Sequence, residues 1–135
     1  MTQDFLVLDP EDIRFLHEDA LDEYDGAEGE LEPGMIDYMA EKPFLVSYGV
    51  EMYPSLFAKA AVYLEGFATH QYFADGNKRT GVKCCLTFLA IHGYELTVDD
   101  FELFEITLKV ANNKMDLDEI TEWLENNTRI NYSFI

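Results

Sequence analysis

Phe73-Ala74-Asp75-Gly76-Asn77-Lys78-Arg79-Thr80 is the stretch on which the reading of this chain turns, because a helical pattern lies on each side of it. Upstream, Leu56, Ala60, Leu64, Phe67 and Gln71 recur at helical steps along one stripe, which marks a long and mostly buried helix opening at Pro54. Asp75-Gly76 is expected to stop it. Downstream, a second helix starts at Asn77 and runs through Val82, Leu86, Leu89 and Ala90 to a His92-Gly93 terminus. A turn between two helices leaves the first N–H groups of the second without partners, and those groups with the helix dipole attract anions. Gly76 permits close approach of a phosphate, Asn77 can donate an amide hydrogen bond, Arg79 offers a bidentate fork and Lys78 a point charge. A hard carboxylate beside such a pocket, Asp75, is suited to magnesium. Read from the residues alone, an anion site and a merely charged helix cap remain equally open.

Working outward, Asp9-Pro10-Glu11-Asp12 has the cap, the first-turn proline and the acidic first turn of a helix start, and Ile13, Leu16, Ala20, Leu21 and Tyr24 carry the pattern on to residue 24. The acidic, glycine-containing segment Asp22 to Glu32 reads as a solvated loop, and its spacing does not match a calcium loop. Met35 to Glu41 reads as a short helix ended by Pro43, and Phe44 to Met52 as an extended flap. Thr97-Val98-Asp99-Asp100 caps a helix to about Asn112 with Phe101, Phe104, Leu108 and Ala111 on one face. Asp116 begins a last helix that turns Ile120, Trp123 and Leu124 inward. The apolar tail with Ile130, Tyr132, Phe134 and Ile135 is expected to add a small strand or a partner contact. The fold class is thus all-α, a compact domain of about six helices with a short extended flap, residues 1–135 forming one domain.

Composition narrows the function. With 27 Asp plus Glu against nine Lys plus Arg, the net charge of -18 repels phosphate backbones and anionic lipid heads at long range, so neither nucleic acid nor membrane is an expected partner. The acidity suits solubility or a salty habitat, or else docking to a basic partner, and an acidic mimic of nucleic acid rests on the total charge alone. Local sign differs from the total: Lys78, Arg79 and Lys83 cluster on the second helix. The two cysteines, Cys84 and Cys85, are adjacent, a poor geometry for a mutual disulfide, and their apolar setting favours inert burial. His17, His70 and His92 form no metal-binding spacing, and His17 and His92 read as packing histidines. Met1-Thr2-Gln3-Asp4 lacks the character of a secretory signal, and the cytoplasm is the expected location.

Gln71-Tyr72-Phe73-Ala74-Asp75-Gly76-Asn77-Lys78-Arg79 resembles the Fic/Doc motif His-x-Phe-x-Asp/Glu-Gly-Asn-x-Arg, departing from it only at its first position. Lys78 after the asparagine, followed by Arg79-Thr80, is similar to the Doc (death-on-curing) toxin branch; adenylyl-transferring Fic enzymes carry a further Arg where this chain has Val82. Asp9 to Asp12 with Leu16-His17, Glu32 to Ile36, Tyr53 to Ala61 and Leu89 to Tyr94 resemble other family segments. The resemblance implies an ATP- and magnesium-using transferase of a toxin–antitoxin pair. It would place a phosphoryl group, or less readily an adenylyl group, on a hydroxyl of a protein such as elongation factor Tu, and be restrained by a Phd-type antitoxin. By position it implies magnesium at Asp75, phosphate contacts at Gly76 and Asn77, charge neutralisation at Lys78 and Arg79, Phe73 in the cofactor-binding set, and target alignment by the flap. The motif histidine is the base that removes the hydroxyl proton, and Gln71 stands in its place without a usable proton equilibrium. Three explanations follow: His70 substitutes, though one step along a helix turns a side chain by about 100°; Gln71 is an introduced silencing change; or the chain is a degenerate binding module.

Overall fold

The computed structural model of the chain describes residues 5–134. Among them are six α-helices: α1 Pro10–Asp22, α2 Met35–Glu41, α3 Leu56–Thr69, α4 Asn77–Ile91, α5 Asp100–Ala111 and α6 Leu117–Asn126. The fold is all-α, with two small antiparallel ribbons, β1 Val46–Ser47 with β2 Val50–Glu51, and β3 Tyr94–Leu96 with β4 Thr128–Ile130. Ile135, one of the tail residues expected to pack, lies outside the described residues together with residues 1–4.

Side-chain caps fix most of the helix starts. Asp9 accepts from Asp12 N and Asp116 from Glu119 N, each in a reciprocal capping box, while Ser55 and Asp99 cap α3 and α5. Helix α3 forms the centre, with Ala60, Ala61, Tyr63, Leu64 and Phe67 buried, and α4 packs along it through Cys84, Cys85, Phe88 and Leu89. The two axes come close at Gly81, where a Cβ would stand 3.1 Å from Phe67 Cβ and 3.3 Å from the carbonyls of Tyr63 and Leu64. The thiols are buried and free, as their setting suggested.

One expectation is corrected, and packing decides the facing of two further elements. Helix α3 ends at Thr69, short of Asp75-Gly76. Its last carbonyls are taken by side chains, Glu65 O by Thr69 Oγ1 at 2.6 Å and Gly66 O by His70 Nδ1 at 3.0 Å, and the chain leaves in an extended conformation. Gln71 is therefore not on the buried stripe. Helix α5 buries Ile106, Thr107 and Val110, whereas Phe101 and Phe104 of its apolar stripe are 70% and 60% exposed, because α5 meets α3 with the opposite face. The tail does form the small strand, but Ile130 and Tyr132 face solvent, since a two-stranded ribbon can bury only the side toward the core. The flap is borne out as a hairpin, with Tyr48 and Gly49 at positive φ of 51° and 77° in the two-residue turn between β1 and β2. Trp123 is half-buried beside the buried Ile120 and Leu124.

Candidate functional site

The turn before α4 is built as the sequence suggests and held in ways it does not show. Gly76 is the N-cap at φ 79°, a left-handed conformation that costs little without a Cβ. No side chain caps α4, so the N–H groups of its first turn stay available to an anion. They border a hollow of about 570 Å³ lined by Gln71, Asp75, Gly76, Asn77, Lys78 and Arg79, with His70 and Tyr24 also on its wall. Phe73 is outside that lining: it is 1% exposed and packs into the core.

Asn77 does not reach into the hollow with its amide. Its Oδ1 accepts from Phe73 N at 3.0 Å and its Nδ2 donates to Phe73 O at 2.9 Å, so the side chain latches the loop onto the helix start. The backbone N–H of Asn77 stays free to offer a ligand. Phe73 is stacked between rings, His17 at a centroid distance of 3.6 Å and Phe67 at 6.0 Å. His17 is buried and its Nε2 bonds the Asp75 carbonyl at 2.8 Å, which makes it a packing histidine that also holds the turn. His92 is likewise fully occupied: Nδ1–H donates to Phe88 O at 2.7 Å, and Nε2 accepts from Leu6 N at 2.9 Å.

The acidic loop contributes more than solvated charge. Its backbone pairs with the turn, Leu31 N to Tyr72 O and Ala74 N to Gly29 O both at 2.8 Å, while Ala27 N donates to Asp75 Oδ2 at 2.8 Å. Arg14 binds the Glu30 carboxylate through Nε at 2.8 Å and holds its pKa below the usual glutamate range. The glycines gave a loop signal, and no local signal marks it as the partner of residues 72–74. Asp75 lines the hollow and spends one carboxylate oxygen on the loop.

Charge in the site is arranged asymmetrically. Arg79 pairs with Glu23 at 3.2 Å and lies over the Tyr24 ring at 4.4 Å, and Lys83 reaches both Asp19 at 2.9 Å and Glu23 at 2.6 Å. Two of the three clustered cations are thus answered by the end of α1. Lys78 is exposed and makes no ion pair among the described residues. Gln71 is exposed, with Nε2 donating to Ala74 O at 3.3 Å. His70 shares the hollow's wall, but its Nδ1 bonds Gly66 O, and the ring stacks on Tyr72 at 4.9 Å. Because α3 has ended, the 100° helical offset between residues 70 and 71 does not apply; in extended backbone neighbouring side chains point to opposite sides. Among the described residues no group of three or more His, Cys, Asp or Glu gathers to hold a metal, so a cation here would rest on one carboxylate and on oxygens brought by a ligand.

The central helix pair of this all-α domain is thus joined by a turn with a left-handed glycine at its N-cap and no side-chain cap, beside a hollow walled by Asp75, Lys78 and Arg79. Residues 7–89 match the Fic/DOC family, and the chain belongs to that family, on its Doc branch. It is 39% identical over 89 residues to Toxin Doc of Mycolicibacterium smegmatis, an alignment that covers 64% of this chain and 68% of that protein.

Proposed function

We propose that this chain is a Doc-like toxin that binds ATP at the α4 N-terminus and transfers its terminal phosphoryl group to a hydroxyl of a target protein such as elongation factor Tu. Adenylyl transfer is the lesser form of the same reading. The observation that carries it is the free first turn of α4, opening with left-handed Gly76 and no side-chain cap onto a hollow walled by Lys78 and Arg79. The family relationship and the likeness to Toxin Doc support it.

In this reading the N–H groups of Asn77, Lys78 and Arg79 cradle phosphate oxygens, Lys78 approaches as a free cation, and Arg79 leaves Glu23 to fork onto the nucleotide. Asp75 is the residue that would hold magnesium, whose part is to neutralise phosphate charge, and its oxygen not engaged by Ala27 suits a hard cation. Phe73 belongs to the site by its backbone latch rather than by touching a ligand. The target hydroxyl oxygen bonds to the terminal phosphorus as the bond to the bridging oxygen breaks and ADP leaves, and the hydroxyl proton must pass to a base. Gln71 cannot take it, so this form transfers slowly. The hairpin Phe44 to Met52 aligns the target, a Phd-type antitoxin restrains the toxin, and one domain spans residues 1–135 and works in the cytoplasm. No helix among the described residues is long and apolar enough to cross a membrane.

A second reading, a non-catalytic module that binds nucleotide or protein, is favoured specifically by Gln71, whose amide is spent on Ala74 O. Transfer of labelled phosphate from ATP to elongation factor Tu, measured with Gln71 and with Gln71→His, separates the two. A gain of ~10²- to 10⁴-fold on restoring the histidine is expected for the transferase. ATP binding with no transfer by either version gives the module.

A further inference from the structure

The flap stands out for what does not hold it. Every residue from Val46 to Met52 is exposed, including Val46, Tyr48, Val50 and Met52, so the hairpin buries no side chain of its own against the core. Its internal bonds are the short β1–β2 ladder and Met52 N to Leu45 O at 3.0 Å. An isolated two-stranded hairpin of this size is marginal in water. One side chain closes its base. Lys59 on α3 is 0% exposed, and its Nζ donates to Tyr53 O at 2.6 Å and Pro43 O at 3.0 Å and lies 3.5 Å from Glu51 Oε1. Pro43 and Tyr53 are the two feet of the flap, and the ammonium joins them while resting 5.1 Å from the Phe44 ring centroid and 5.2 Å from that of Phe5.

An ammonium is costly to bury, and an apolar side chain would fill the same place in the core more cheaply. What the charge supplies that a methyl group does not is a fixed geometry for two backbone carbonyls and one carboxylate. Exposed apolar side chains on a hairpin held this way are suited to docking, since a loop already ordered loses less freedom when a partner lands on it. We propose that Lys59 is the positioning residue of the flap: by tying both feet it sets the alignment of the protein substrate against the hollow, without touching either substrate. This inference rests on the transferase reading above.

The test uses the full chain carrying Gln71→His as parent, ATP, and elongation factor Tu as the protein substrate. Lys59→Met in that background is expected to lower kcat/KM for the protein by roughly ten- to hundred-fold through a raised KM, with the KM for ATP unchanged. Amide hydrogen exchange at residues 45–52 should speed up while α3 and α4 stay protected, which a general loss of stability would not give. Glu51→Lys, which places a like charge beside Nζ on the exposed side, is the companion if Lys59→Met does not fold, and should show the same selective loss. Lys59→Arg, which keeps donors for the carbonyls, should recover part of it. Equal losses for both substrates, or flap exchange that does not change, would overturn the role of Lys59 and leave the transferase reading standing. A parent that transfers nothing would overturn the transferase reading and this alignment role together.

Discussion

Asn77 and Phe73 are joined twice, Nδ2 donating to the Phe73 carbonyl at 2.9 Å and Oδ1 accepting from the Phe73 N–H at 3.0 Å, so one side chain completes both backbone groups of a buried residue. Asn77→Ala leaves that donor and that acceptor without partners inside the protein. A loss of about 2–4 kcal/mol in unfolding free energy is expected, from two hydrogen bonds near a buried ring. Urea melts should show it, and Asn77→Asp should recover only part, because it keeps the acceptor and loses the donor. A variant as stable as the parent would mean that the latch contributes nothing to the turn.

Gly81→Ala should act on the seam between α3 and α4. The added Cβ would meet Phe67 Cβ at 3.1 Å and two backbone carbonyls at 3.3 Å, none of which is the free end of a flexible side chain. The helices must separate slightly, at about 1–3 kcal/mol. Helix propensity alone favours Ala over Gly by about 1 kcal/mol, so a stabilised variant would show that the seam is looser than described.

Glu23→Gln removes the carboxylate shared by Arg79 and Lys83. Both pairs are partly exposed, so stability should fall by no more than about 1 kcal/mol. Nucleotide affinity should move the other way and rise several-fold in calorimetric titration with ATP and magnesium, because Arg79 no longer has to give up an ion pair; unchanged affinity would show that Arg79 does not meet the phosphates. Lys83 has its pKa raised, first by the hydrogen bond it donates to Glu23 and then by the one it donates to Asp19. A raised lysine contributes its pairing fully below the unfolded value and loses it only as pH climbs through the folded one. On the lysine side the network should therefore persist across neutral pH and be lost in strong alkali.

Burial pushes the Cys85 thiol up to about 12 and raises that of Cys84 as well. At pH 8 the native protein should hold almost no thiolate and present no accessible sulfur. Iodoacetamide should leave both cysteines unmodified for hours and label both at once in urea. Rapid native labelling of either would show that α4 opens along its core face.

Much of this protein was legible in the chain because its signals are local. Asp9, Asp99 and Asp116 start their helices with bonds to residues three positions ahead, and Gly76 before Asn77 marks a turn that only a few conformations allow. The basic residues after it needed no coordinates either. What depended on the tertiary structure was every choice settled by a partner far along the chain. Helix α3 stops at Thr69 because its final carbonyls find side chains and residues 72–74 find Gly29 and Leu31. Asn77 turns its amide to Phe73 rather than outward, and Glu23 closes on Arg79 from 56 residues away. Helix α5 shows Phe101 to solvent because periodicity defines a stripe but not which stripe faces the core when both sides carry apolar residues. Lys59 sits unremarked in an apolar helix until the feet of the flap are brought to it. Local geometry is written in neighbouring residues, whereas burial and pairing are properties of the packed whole.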